Sequence, residues 1–186
     1  SQLSTSPNLE NAAAAILAAR AAGAKSAGIK QGLAAFHPLP HRMTVAAEVN
    51  GVRYINDSKA TNLDALGKAL ESFSGGVHLI AGGRDKASPF ATIAAMVGRK
   101  VKTVYLIGEA AAAIRTAWGE NVACVDCGTL EKALSEAGDS AREGEVVLLS
   151  PGCASYDQFN NYMHRGEEFA RLVQAREAKR PVADRA

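Results

Sequence analysis

Val146 to Leu149 is a run of four apolar residues with no polar interruption, and the chain holds several further strand-like runs. Val77 to Ala81 is stopped by Gly82-Gly83, Val101 to Ile107 is stopped by Gly108, and Val122 to Val125 is a shorter example. Between them lie stretches with helical patterning: an Ala/Leu-rich segment ending near Phe73, Pro89 to Val97, Ala110 to Trp118, and Leu130 to Ala141. A long helical pattern from Asp157 to Ala178 follows the last run. Strands that are apolar on both faces need cover on both faces, and strands separated by helices pair in parallel. The alternation therefore predicts an α/β fold, a mostly parallel sheet with helices on both faces.

Two features precede this pattern. Asn8 to Ala22 is Ala-rich with no internal Gly or Pro, and Gly23 is suited to close it as a C′ residue. Ser26 to Ala35 predicts a second short helix. Met43 to Val49 and Val52 to Ile55 are β-prone runs joined by Asn50-Gly51. That dipeptide favours a hairpin, because both central residues of the turn take positive φ. Phe36-His37-Pro38-Leu39-Pro40-His41-Arg42 is punctuated by proline and is the best boundary candidate. The chain is thus expected to divide into a helical segment, 1–36, and a sheet domain, 37–186, with a frayed tail from about Lys179.

Bulk properties exclude some classes. The 186 residues suffice for a full core, and 47% hydrophobic with 22% charged residues is ordinary for a globular chain. A net charge of +2, from 21 basic and 19 acidic residues, argues for neither nucleic acid nor a membrane surface as partner. No apolar run approaches the roughly 20 residues that span a bilayer. Ser1 to Glu10 shows no basic region followed by an apolar core, so no signal peptide is expected, and the missing initial Met suggests a piece of a longer chain. Cys124, Cys127 and Cys153 do not make a disulfide framework, and Cys124-Val-Asp-Cys127 has no second pair to complete a zinc site. Reduced thiols and a cytoplasmic location are the expectation.

In a parallel sheet the loops after the strands emerge at one edge, where ligands bind. Three such loops are unusually polar. Asp57-Ser58-Lys59-Ala60-Thr61-Asn62 follows the Val52 run, Gly82-Gly83-Arg84-Asp85-Lys86 follows Ala81, and Ser150-Pro151-Gly152-Cys153-Ala154-Ser155 follows Leu149. The first could be an anion site, where free N–H groups, a helix dipole, a lysine and Ser and Thr hydroxyls gather, or could simply cap a helix with Asp57 or Ser58. Ser150 and Ser155 suit turn and cap positions. Lys59, Thr61, Lys86 and Ser155 are placed to converge on one crevice. Two ammonium groups and two hydroxyls suit a small ligand with more than one negative charge, either a phosphorylated nucleotide or a dicarboxylate. His78, inside an apolar run, reads as a core histidine. The chain holds no G-x-x-x-x-G-K-[ST] loop and no G-x-G-x-x-G, which disfavours a nicotinamide oxidoreductase. A stand-alone module binding a small anion or nucleotide without chemistry is the alternative to an enzyme domain.

Taken together these residues resemble the C-terminal region of the Mur ligase family, in particular its D-glutamate-adding members. The carriers are Leu39-Pro40-His41-Arg42, Asn56 to Asn62, Gly82-Gly83 with Asp85-Lys86, Leu148-Leu149-Ser150-Pro151, Cys153-Ala154-Ser155, Asp157-Gln158-Phe159, and Arg165-Gly166 with Glu168-Phe169. The resemblance as a whole runs from about Asn8 to Val173. The resemblance implies a Rossmann-like domain for 37–186 and, for 1–36, the last helices of a central ATPase domain. It implies a reaction in which ATP, with Mg bound mainly by the central domain, phosphorylates the carboxylate of UDP-MurNAc-L-alanine, and D-glutamate's amine attacks the acyl phosphate. On the same ground Thr61, Lys86, Ser155 and Tyr162 correspond to D-glutamate-binding residues, and Lys59 and His41 to polar residues at the reaction centre. Arg42 corresponds to a residue at the ATP phosphates, Asp57 to one at the ribose, and Asn8 and Asn11 to asparagines beside the adenine. No resident metal site follows for this region, and this chain by itself is expected to be inactive, with no ATP turnover above a contaminant control. Three positions depart from the family's pattern: Pro7 stands where His is usual, Tyr162 where Phe is common, and Ala87-Ser88-Pro89 follow Lys86 where Gly and Asp are common.

Overall fold

The computed structural model describes residues 6–36 and 39–178. His37 and Pro38 of the proline-punctuated stretch, the first five residues and the tail from Lys179 lie outside the described residues, as does the side chain of Asn8. The chain divides into two compact units, Ser1–Pro40 and His41–Ala186.

The first unit holds α1 (Ser6–Ala21) and α2 (Ser26–Ala34). Gly23, at φ 85°, turns the chain out of α1, and its N–H donates to the Arg20 carbonyl while that of Ala24 donates to Ala19. α2 buries none of its residues, and Leu17 on α1 stays 71% exposed.

The second unit opens with the hairpin β1 (Thr44–Val49) and β2 (Val52–Asn56), whose turn residues Asn50 and Gly51 take φ 53° and 70°. Then follow α3 (Leu63–Glu71), β3 (Val77–Gly82), α4 (Ala94–Lys100), β4 (Val101–Ile107), α5 (Ala111–Trp118), β5 (Ala123–Gly128), α6 (Leu130–Ser140), β6 (Val146–Leu149) and α7 (Tyr162–Ala178). The sheet order is β1-β2-β6-β3-β4-β5, antiparallel at β1/β2 and parallel elsewhere.

Alternation along the strands splits the core into two layers. Ile55, Leu79, Leu106 and Leu148 face α3, α4 and α5 through Leu66, Leu70, Val97, Ile114 and Trp118. Tyr54, Ile80, Tyr105 and Val147 face α6 and α7 through Leu134, Ala137, Phe169 and Val173. Steps towards β5 use helices on one face and the return step to β6 uses the other, as a common crossover hand requires. His78 is buried as expected, with Nδ1 3.1 Å from the Tyr105 hydroxyl and Nε2 3.0 Å from Glu145 Oε2.

Three elements differ from the sequence-based expectation. The helix expected from Pro89 begins as a 3₁₀ turn, Phe90–Ile93, because the Phe90 carbonyl accepts from the buried Trp118 indole (2.7 Å). The strand expected to stop at Val125 continues to Gly128, since Asp126 points outward to Arg115 (2.7 Å) on an edge strand and does not interrupt pairing. The helix expected from Asp157 starts at Tyr162. Residues 155–159 instead form turns on the Ser155 carbonyl, and Asn161 accepts from the His164 N–H (2.9 Å) as the cap. Cys124 and Cys127 fall three apart on β5, so strand alternation sends them into opposite core layers as free thiols.

Candidate functional site

The sheet order makes neighbours of β2, β6 and β3, the three strands followed by polar loops. β6 runs into α7 on one face while β2 and β3 run into α3 and α4 on the other. Connections that part to opposite faces leave a crevice at the carboxyl ends of such strands. The Asp57–Asn62, Gly83–Lys86 and Ser150–Ser155 loops border it.

Asn62, not Asp57 or Ser58, caps α3, accepting from the Ala65 N–H (2.9 Å). The residues before it are therefore held by other means. The Asp57 N–H continues the β2/β6 ladder to the Leu149 carbonyl (2.8 Å), the Ala60 N–H donates to Asp57 (2.9 Å), and the Lys59 N–H donates to His41 (3.0 Å). Ser58 is fully buried: its hydroxyl donates to the Tyr162 carbonyl (2.8 Å) and accepts from Arg165 Nε (3.0 Å). That hydroxyl is used within the fold, a correction to counting it among the donors offered to a ligand.

Arg165, in the first turn of α7, is also fully buried. Its Nη2 donates to the Ser58 carbonyl (2.9 Å) and, with Nη1, to the Cys153 carbonyl (3.1 and 3.2 Å). One guanidinium thus ties the first loop to the third. Burial pulls its pKa down to about 10, against the opposing influence of Cys153 and Asp157. Asp57 is buried too, one carboxylate oxygen accepting from the Ser150 hydroxyl (2.7 Å) and the other from the Met43 N–H (3.3 Å). Burial raises this carboxyl to about 6, outweighing the two hydrogen bonds and the Arg42 charge. Ser150 is therefore a partner of Asp57 and not a helix cap.

The second loop lies against the third: the Gly82 N–H donates to Pro151 (2.9 Å) and the Arg84 N–H to Ala154 (2.8 Å). Gly83, at φ 137°, has the Ala154 carbonyl where a side chain would start, so only glycine fits. Asp85 accepts from the Ala87 N–H (2.8 Å), and Ala87 takes φ 52°, which gives this loop its shape in place of the family's Gly-Asp.

His41, Lys59 and Tyr162 come together. Lys59 Nζ lies 4.1 Å from the Tyr162 ring centroid, and the His41 and Tyr162 rings meet edge to face at 6.4 Å. His41 (φ 61°) and Met43 (φ 48°) occupy a backbone region that side chains disfavour, and such strain clusters at functional sites. Arg42 between them is exposed near Asp57. Thr61 is half-buried at the head of α3 and Ser155 is buried in the third loop. Ser155 precedes α7 by seven residues and does not cap it. Lys86 is exposed on the second loop and makes no hydrogen bond or ion pair among the described residues. Asn11 is exposed on α1, in the other unit. The residues that sequence reading gave no site role are Asn56, Ser150, Arg165 and Asp157, whose Oδ2 accepts from the Glu109 N–H (3.2 Å). The available signal was the motif strings themselves.

The Mur ligase, glutamate ligase domain family matches residues 41–153. The chain belongs to this Mur ligase family. It is 52% identical over 173 residues to the UDP-N-acetylmuramoylalanine–D-glutamate ligase of Desulfatibacillum aliphaticivorans, covering 93% of this chain and 38% of the relative. It is 47% identical over 168 residues to the ligase of the same name from Acidobacterium capsulatum, covering 90% and 36%. The chain thus spans less than two fifths of the length of these curated relatives. Among solved structures, E. coli FolC in complex with ADP superposes with a TM-score of 0.63 at 25% identity, covering 93% of this chain and 40% of that one. A pseudomurein peptide ligase type C from Methanothermus fervidus has the same fold, with a TM-score of 0.64, 18% identity, and 90% and 35% coverage. Among the described residues no helix is long and apolar enough to cross a membrane.

Proposed function

We propose that residues 37–186 are the C-terminal domain of an ATP-dependent ligase that joins D-glutamate to UDP-MurNAc-L-alanine during peptidoglycan precursor synthesis in the cytoplasm. The adjacency of β2, β6 and β3 carries this reading, since it places three polar loops on one crevice of a Mur ligase fold. Residues 1–36 are assigned to the end of a central ATPase domain. The exposed Leu17 and Phe36 suit helices that belong to a larger apolar layer.

In this reading Thr61, Lys86, Ser155 and Tyr162 hold the two carboxylates of D-glutamate. Arg42 and Asp57 meet the phosphates and ribose of ATP, and Asn8 and Asn11 meet the adenine. Lys59, steadied over the Tyr162 ring, and His41 face the reaction centre. A lysine held there offsets negative charge on the acyl phosphate and on the tetrahedral oxygen formed when the amine attacks. As the resemblance implies, magnesium is assigned to the rest of the ligase, and no step here runs through it.

Lys86 gives the direct test. A charge-assisted hydrogen bond in a closed site contributes about 1.5–3 kcal/mol, or roughly ten- to a hundredfold in affinity. In the complete ligase, Lys86→Ala should raise KM for D-glutamate by that factor, with ATP affinity and melting temperature nearly unchanged. Lys86→Arg should rescue only in part, because a planar fork needs different room. Steady-state kinetics with each substrate varied in turn measures this. An unaltered D-glutamate KM in folded Lys86→Ala enzyme would make Lys86 a surface lysine.

A further inference from the structure

We infer that Asn56 is a positioning residue that holds His41 in a single neutral tautomer, with Nδ1 bare and Nε2 protonated. His41 then presents a hydrogen-bond donor, not an acceptor, to its ligand.

Asn56, the last residue of β2, is buried, and every polar atom of its amide is engaged. Oδ1 accepts from the Ser58 N–H (3.2 Å), Nδ2 donates to the Gly166 carbonyl (2.8 Å), and Nδ2 lies 3.2 Å from His41 Nδ1. These partners fix the orientation of the amide. Rotating it by half a turn would set its oxygen against the Gly166 carbonyl and its NH₂ against the Ser58 N–H. With the NH₂ so placed, one hydrogen goes to Gly166 and the other points at His41 Nδ1. A nitrogen facing a donor must be bare, so the neutral ring carries its proton on Nε2.

The fold also fixes the plane of the ring. Gly166 in α7 has no side chain, and the His41 ring occupies the space a Cβ would fill. The Tyr162 ring meets His41 edge to face. Nε2 makes no hydrogen bond to any described residue. The half-buried ring therefore keeps one free donor.

A free N–H of this kind recognises an acceptor oxygen: a carboxylate, a phosphate or the oxygen of a polarised carbonyl. That His41 acts during amide formation rests on the ligase reading above. The tautomer does not.

The chain itself, labelled with ¹⁵N-histidine, provides the test in mildly alkaline buffer. Two-bond ¹H–¹⁵N correlation separates bare from protonated ring nitrogens, and His41→Gln identifies the His41 signals. The expected result is one tautomer, with a bare Nδ1. In Asn56→Asp a carboxylate, which only accepts, replaces the donor, and the tautomer should invert to a protonated Nδ1. Unchanged His78 and His164 signals report an intact fold in that variant. A protonated Nδ1 or a mixture of tautomers in the wild type overturns the inference, as does a folded Asn56→Asp chain whose His41 Nδ1 stays bare. If Asn56→Asp loses the folded His78 and His164 signals, the wild-type spectrum decides alone. Failure of the ligase reading leaves this spectrum unchanged, so the two can be told apart.

Discussion

Replacing Arg165 by Met is expected to lower the stability of this chain by about 3 kcal/mol. Four hydrogen bonds from one guanidinium reach three acceptors, the Ser58 hydroxyl, the Ser58 carbonyl and the Cys153 carbonyl. Leaving three buried acceptors without a donor costs roughly 6 kcal/mol, at about 2 each. Against this stands the relief of removing a desolvated charge. The pKa depression to about 10 sets that relief near 3 kcal/mol, at about 1.4 for each pH unit. The net loss should appear as a lower urea midpoint with unchanged slope. Arg165→Lys should recover only part of it, because an ammonium cannot span the three acceptors with the fixed fork of a guanidinium. A loss below about 1 kcal/mol in Arg165→Met would show that the loops hold themselves without the arginine.

Asp57→Asn should do the opposite and stabilise the chain at neutral pH. The Asp57 carboxyl is raised from 3.8 to about 6 by burial, so the folded state binds a proton between those values that the unfolded state does not. The associated stability is fully present below about pH 4 and is lost as pH rises through about 6. Two pH units correspond to roughly 3 kcal/mol. Asn keeps both contacts, its oxygen accepting from the Met43 N–H and its NH₂ donating to the Ser150 hydroxyl, without a charge. The variant should therefore gain about 3 kcal/mol over wild type at pH 7 and nearly nothing at pH 4. Urea titrations of both chains at the two pH values would show it, and a pH-independent difference would rule out Asp57 as the titrating group. If Asp57 meets the ribose of ATP as proposed above, the same substitution in the complete ligase should weaken ATP use.

What could be read from the sequence was local. The apolar runs located β3, β4 and β6, the first two stopped by glycine, and the three polar loops after β2, β3 and β6 were recognisable because each is a continuous string. That these strands are neighbours depends on β6 entering between β2 and β3, a pairing set by residues about ninety positions apart, such as Asn56 and Leu149. Arg165 was illegible for a related reason. It sits in a charged helical stretch beside Glu167 and Glu168, where arginine is ordinarily solvated. Its burial follows from contacts with Ser58, 107 residues earlier. Ser58 looked like a ligand donor for the same reason, since nothing near it in sequence announces the guanidinium and carbonyl that occupy its hydroxyl. The start of α7 was misplaced because Asp157 suits a first turn, yet its carboxylate turns to the Glu109 N–H while Asn161 provides the cap.

The first turn of α7 touches the Asp57–Asn62 loop through Tyr162 and Arg165, the third loop through Arg165, and Asn56 through Gly166, at separations up to 110 residues. On a ribosome adding about 5–20 residues each second, the loop after β2 is therefore synthesised several seconds before the helix that fixes it. During that interval β1 can pair with β2 and β3 with β4, but the crevice lacks its clamp. A nascent chain halted before Tyr162 would therefore carry every strand of the sheet but none of the α7 contacts that anchor the candidate site's loops.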